Sequence, residues 1–230
     1  MERFVQRANL PESKVSEVIM SDYKPCLKKE LEMMGIRVRV PKRLESIKGA
    51  ESYHADMAVC HLGGERFFYA DEIDETVTAK KPLLNVCIFG DNVICNTRKA
   101  YKPLLDILRS EGKNILHTNQ GYAKCSSAVV GENALITSDE SIYRVCRENN
   151  IDVLKISFGD IRLDGYPYGF IGGCCGFIDK NILAFSGNVK LHKDHENIRA
   201  FLRNYNVYTV SLSNERLYDI GGILPVKKFL

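Results

Sequence analysis

AVVGENALITSDESIYRVCRENNIDVLKI, residues 128–156, contains the unit from which the rest of the chain is built. Its first apolar run stops at a Val-Gly-Glu-Asn tetrad and a second begins at once, the pattern of two strands joined by a tight turn. An amphipathic stretch follows, with Ile142, Val145 and Cys146 at helical spacing, then Asn150 where a left-handed helix-ending residue is expected, then a third apolar run. The same order recurs in NVICNTRKAYKPLLDILRSEGKNILHT (92–118), ILAFSGNVKLHKDHENIRAFLRNYNVYTVSL (182–212) and VIMSDYKPCLKKELEMMGIRVRVP (18–41). VCIFGDN (86–92) and GFIDKNI (176–182) add the leading strand of two of these copies. A fifth copy, MAVCHLGGERFFYAD (57–71), has the strand pair, but DEIDETVTAKKP (71–82) carries too few apolar residues for more than a reduced helix.

A unit of this kind cannot bury its own apolar faces and packs against its neighbours. Five units in 230 residues, 45% of them apolar, predict a single α/β domain over 1–230, its ββαβ repeats packed in a closed pseudo-fivefold array. The helices turn one face inward, through Leu27, Leu31 and Met34, through Leu104, Leu105 and Leu108, and through Ile198, Phe201 and Leu202. Gly35 and Gly112 mark helix ends, as Asn150 does. The first unit lacks a leading strand, and a closed array needs the C-terminal GGILPV segment to supply it.

Composition excludes several classes of function. Thirty-two basic residues against 29 acidic ones are interspersed along solvated helix faces, with none of the basic stripe that nucleic-acid binding requires. No apolar run is long enough to span a membrane, and MERFVQRANLPESK lacks the apolar centre of a secretory signal, so a cytoplasmic location is expected. The eight cysteines are then expected to be reduced; Cys60, Cys87 and Cys95 sit inside apolar strands as small hydrophobes. No cysteine pair has zinc-ribbon spacing, and the sequence implies neither a metal nor a cofactor.

GYAKCSSAVVGENALITS (121–138), with the ending VSLSNERLYDIGGILPV (210–226) and HADMAV (54–59), resembles the pentein superfamily, five-bladed α/β propellers that include dimethylargininase and the arginine and agmatine deiminases. The resemblance implies a polar site in a central channel and chemistry on guanidino groups. A carboxylate grips the guanidinium, a histidine acts as acid and base, and a cysteine near the C-terminus attacks the guanidine carbon. Asp56 falls at the substrate-binding carboxylate. The histidine is expected just ahead of Lys124, where the chain has Tyr122 and Ala123; the cysteine is expected after the terminal glycines, where it has Gly221, Gly222, Ile223, Leu224, Pro225 and Val226. No cysteine follows Cys175, so the family's usual mechanism is not expected.

Superposed on one another, the units place Asp56, Asn85, Ser126 and Cys174 at the axial start of the first strand, with His54 and Lys124 two residues earlier in their own units. These six residues form the candidate pocket for a small cationic or amino-acid-like ligand, with Asp56 as the cation's partner. A relocated nucleophile is a further reading, at Cys174 or Cys175 after Gly172-Gly173, or at Cys125, whose thiolate the adjacent Lys124 would favour. The glycine pair reads as a close backbone approach. His192 and His195 read as solvated helix-face residues, and His61 as a loop residue before Gly63-Gly64. DIRLDGYPYGF (160–170) reads as an aromatic loop over a channel mouth, a partner surface or a packing element. Two classes of function follow: a small-molecule binder that has lost the covalent chemistry, and a macromolecular binder like the ribosome anti-association factor that shares the propeller fold. An enclosed channel containing Asp56 favours the first, a filled one with an apolar outer patch the second.

Overall fold

In the computed structural model, which describes residues 1–73 and 82–230, four of the five units are complete. In the third unit, strands Cys87–Phe89 and Asn92–Cys95 form an antiparallel hairpin, helix Lys102–Ser110 crosses over, and Asn114–His117 returns parallel to the second strand. The fourth unit repeats this with Ser127–Gly131, Ala134–Thr137, helix Glu140–Glu148 and Asp152–Lys155, the fifth with Cys175–Asp179, Ile182–Phe185, helix His195–Asn204 and Tyr208–Ser211. The second unit has the hairpin Val59–Gly63 and Arg66–Tyr69, followed by a 3-10 turn at Ala70–Glu72. The reduced helix expected over 71–82 falls largely on residues 74–81, outside the described residues.

The first unit is completed from the other end of the chain. Strand Ile223–Phe229 lies antiparallel between Glu2–Phe4 and Val15–Met20, with Ile223 opposite Met20 and Glu2 opposite Phe229. Helix Pro25–Met33 and strand Arg37–Arg39, parallel to Val15–Met20, finish the unit. Gly35, Gly112 and Asn150 have φ of 80°, 75° and 55° at the ends of their helices, the left-handed conformation that releases the last carbonyls from the helix.

Among the described residues the strands form five separate small sheets, a mixed α/β fold. The inner strands, Val15–Met20, Val59–Gly63, Asn92–Cys95, Ala134–Thr137 and Ile182–Phe185, are largely buried on both faces, which explains why they read as continuous apolar runs. The outer strands Arg66–Tyr69 and Tyr208–Ser211 are partly exposed. Cys87 and Phe89 pack with Val129 and Leu135 of the fourth unit, whereas Ile88, between them, packs with Cys60 and Leu62 of the second. Ala128 and Val130 turn toward Phe177 and Phe185 of the fifth unit, Ile178 toward Val18 and Met20 of the first. Ile19 joins Val59 and Leu224, bridging the first and second units. Phe89 and Phe185 are fully buried, and each such side chain is worth about 1.5–3 kcal/mol of transfer free energy.

The N-terminal segment crosses the hairpin ends. Val5 N donates to Val226 O, Gly64 N donates to Val5 O, and Asn9, at φ 65°, donates from Nδ2 to Ile88 O. Asn9, Lys124 and Pro225 line two small cavities between the sheets, each of about 10 Å³, which is space for roughly one water molecule.

Candidate functional site

Four buried side chains from distant parts of the sequence meet at the starts of the strands. Asp56 sits in a single helical turn, Ala55–Ala58, entering Val59–Gly63, and His54 precedes that turn. Cys125 leads into Ser127–Gly131, and Asp219 follows the fifth unit just ahead of the C-terminal strand. Cys125 Sγ lies 2.7 Å from Asp56 Oδ2, so the thiol donates to the carboxylate, and 3.9 Å from His54 Nδ1. His54 Nδ1 is 3.8 Å from Asp219 Oδ1. All four residues are 3% exposed or less.

Backbone and glycine packing hold the cluster rigid. Asp219 accepts from Phe170 N through Oδ2 and from Gly221 N through Oδ1, at 2.9 and 3.0 Å. Asn85 Oδ1 accepts from Lys124 N and Cys125 N at 2.8 and 3.1 Å, and Asp56 N donates to Gly221 O. A Cβ at Gly173 would stand 1.9 Å from Asp219 Oδ1, and one at Gly221, where φ is 75°, 2.4 Å from His54 Cβ. The glycines there permit backbone approach, as expected of the 172–173 pair.

Burial governs the protonation of these groups. It raises the Asp56 carboxyl to about 6, against an opposing pull from His54, and it also raises Asp219. Burial first, and then the charges of Asp56 and Asp219, hold the Cys125 thiol well above its usual range. The expectation that Lys124 favours a Cys125 thiolate is therefore corrected: these neighbours are two carboxylates, and Lys124 instead lines the small cavities with Asn9. His54 Nε2 and Asp56 Oδ1 are buried without a hydrogen-bond partner.

Of the six residues aligned from the repeats, the structure brings together Asp56, His54 and Asn85, whose Nδ2 is 3.4 Å from Asp56 O and 3.5 Å from Cys125 Sγ. Lys124 is buried alongside. Ser126 is buried with Oγ unpartnered, and Cys174 donates to Ile171 O, so neither joins the cluster. Cys175 also donates to Ile171 O, and burial raises both thiols, Cys175 to about 12. Asp219 is the residue that the sequence reading missed. Its one signal is an acid inside the apolar run before Gly221-Gly222.

Position bears on three other expectations. His61 is a strand residue rather than a loop one, buried with its ring nitrogens 3.2 Å from Pro225 O and 3.0 Å from Gly64 O and stacked on Phe67. His192 is buried rather than solvated, its Nδ1 accepting from Asp194 N, while His195 pairs with Glu196. In the 160–170 loop, Phe170 stacks on Tyr122, and Tyr166 and Tyr168 are exposed beside it. Tyr122 and Tyr166 flank Glu51, whose carboxylate pushes the Tyr166 hydroxyl up to about 12.

The fold is pentein-like, and enzymes that modify guanidino groups are among the solved structures that resemble it. They include inosamine-phosphate amidinotransferase from Streptomyces griseus, with 12% identity, 97% of each chain covered and a TM-score of 0.58. DDAH from Pseudomonas aeruginosa in complex with citrulline matches at 10% identity over 91% of this chain and 96% of that one, TM-score 0.54. The C. jejuni agmatine deiminase matches at 12% identity over 90% and 91%, TM-score 0.50. At these identities the likeness is one of fold. Residues 79–224 match the model of DUF6873, a family of unknown function, and the chain belongs to that family. No curated protein matches the sequence.

Proposed function

We propose that the five sheets are the blades of a pentein propeller and that this protein binds a small guanidino or amino-acid-like cation at Asp56 and Asp219. The blade arrangement is supported by the core clusters, which join first to second, second to third, and onward until the fifth meets the first again. The binding reading is carried by one observation: two carboxylates are fully buried, and among the described residues neither has a lysine or arginine within ion-pair distance. Buried charge is costly until it is paired, and a guanidinium offers a planar fork of donors suited to carboxylate oxygens, one of which, Asp56 Oδ1, has no partner.

The short Cys125–Asp56 contact favours a second reading, in which Cys125 replaces the absent C-terminal cysteine. A bound guanidinium offsets the two negative charges that keep the thiol protonated. Cys125 then passes its proton to Asp56 and attacks the guanidine carbon. The C–N bond breaks, the amine leaves with that proton, and water later hydrolyses the thiouronium.

Thermal-shift measurements in chelating buffer, with arginine, methylated arginines, agmatine and neutral citrulline, test the binding reading. Guanidines should raise the melting temperature, citrulline should not, and Asp219→Asn should abolish the response. Absence of any guanidine response in the wild type refutes it and moves the function to a partner-binding role.

A further inference from the structure

His54, Cys125 and Asp219 present three different donor atoms to one point. Nδ1, Sγ and Oδ1 all lie within 4.8 Å of one another. A tetrahedral zinc-type ion sets its nitrogen and sulfur ligands about 3.6 Å apart and its nitrogen and oxygen ligands about 3.3 Å apart, from bond lengths near 2.0–2.3 Å. The Nδ1 to Sγ and Nδ1 to Oδ1 distances here are 3.9 and 3.8 Å, longer than those values by about 0.3 and 0.5 Å. Asp56 supplies the fourth donor: its Oδ2 stands 2.7 Å from the same sulfur, closer than the about 3.5 Å between sulfur and oxygen ligands of one tetrahedral ion, so this carboxylate swings outward when an ion replaces the thiol proton.

From this geometry we infer a binding site for one divalent transition metal of the zinc class, ligated by His54 Nδ1, Cys125 Sγ and Asp219 Oδ1, with an Asp56 oxygen in the fourth position. The inference goes beyond the guanidino reading and does not depend on it.

Independent observations favour a ligand at this point. Asp56 Oδ1 is buried and unpartnered. His54 Nε2 is buried and unpartnered too. The thiol proton on the Cys125–Asp56 contact is the one that a metal would displace. Asp219 is fixed by two backbone N–H donors and by the missing side chain of Gly173, and the backbone of Cys125 by Asn85, so these two residues are held in place before any ion arrives. A thiolate, an imidazole and carboxylates suit zinc, cobalt or ferrous ions rather than magnesium or calcium, which take oxygen ligands alone. One thiolate and two carboxylates carry three negative charges, most of which a divalent ion offsets.

The full-length protein, freed of metal by chelation, is titrated with cobalt(II). One equivalent should give the thiolate-to-cobalt charge-transfer band in the near ultraviolet and the visible bands of a tetrahedral site, both removed by equimolar zinc. Cys125→Ala should abolish the charge-transfer band, while Cys174→Ala and Cys26→Ser retain it. Should Cys125→Ala fail to fold, Asp219→Asn serves instead: it should keep the thiolate band and weaken cobalt binding by at least about tenfold. No band at stoichiometric cobalt, a band that survives Cys125→Ala, or unchanged affinity in Asp219→Asn overturns the site. Because guanidine binding is measured in chelator, failure of either proposal leaves the other standing.

Discussion

Replacing Asp56 with asparagine should make the metal-free protein more stable, and by an amount that depends on pH in a defined direction. Burial lifts this carboxyl from 3.8 to about 6. Between those values the folded chain holds a proton that the unfolded chain has already released, so wild-type stability falls as pH rises through that window. Above it the loss is complete, and the gap in pKa corresponds to about 3 kcal/mol. Asparagine keeps an oxygen to accept the Cys125 thiol and carries no charge to desolvate. The advantage of Asp56→Asn over wild type should therefore be small near pH 4, grow toward pH 6 and level off above it. For a domain of this size about 3 kcal/mol is about 6–12 °C in melting temperature. Denaturant unfolding of both proteins across pH 4–8, in chelator, reads the difference. A variant that is less stable at neutral pH, or an advantage that does not change with pH, would refute the claim that desolvation outweighs the favourable contacts of the Asp56 carboxylate. Added zinc should reverse the order, because the ion stabilises the wild type more.

Gly173→Ala pushes a methyl group into Asp219 Oδ1 and should destabilise the fold by about 1–3 kcal/mol while removing both the cobalt bands and the guanidine response, read by calorimetry and absorption. Deleting residues 223–230 removes the strand between Glu2–Phe4 and Val15–Met20; far-ultraviolet circular dichroism and limited proteolysis should show a chain that no longer folds cooperatively. His61 is buried, and desolvation lowers its pKa below 6.5. Its contribution to stability is thus intact above 6.5 and lost as pH falls toward the folded value, a loss that His61→Phe should not show in acid titration of the melting temperature.

The repeat architecture was legible because its signals are local. Turn tetrads, helix faces and the helix-ending residues Gly35, Gly112 and Asn150 all lie within a few residues of what they determine. The site was only half legible, and the missing half is long-range. Asp219 gains its role from Phe170, 49 residues away, and from His54, and nothing near it in sequence announces either contact. Cys125 was judged by its neighbour Lys124, but adjacent side chains on this segment diverge, one toward Asn9 and the cavities, the other toward Asp56. His61 reads as a loop residue because Gly63-Gly64 follows it closely; the turn is only Gly64-Glu65, and the strand runs through His61 to Gly63, which takes φ of 101°. Repeat superposition found the positions that face the junction. It overstated their kinship, since Ser126 and Cys174 occupy equivalent places without reaching the cluster.

The pairing of Ile223–Phe229 with Val15–Met20 has a consequence for how the protein is made. The apolar strand near the N-terminus emerges from the ribosome with one edge open, and its partner is synthesised about two hundred residues later. At roughly 5–20 residues per second, that edge stays unpaired for about 10–40 s. Over that interval it is a template for strands of other nascent chains, so expression should respond to chaperone supply and slow-translating codons near the 3′ end should be poorly tolerated. Asp219, four residues ahead of the closing strand, is delivered in the same final seconds, so the cluster has no existence in any shorter translation product.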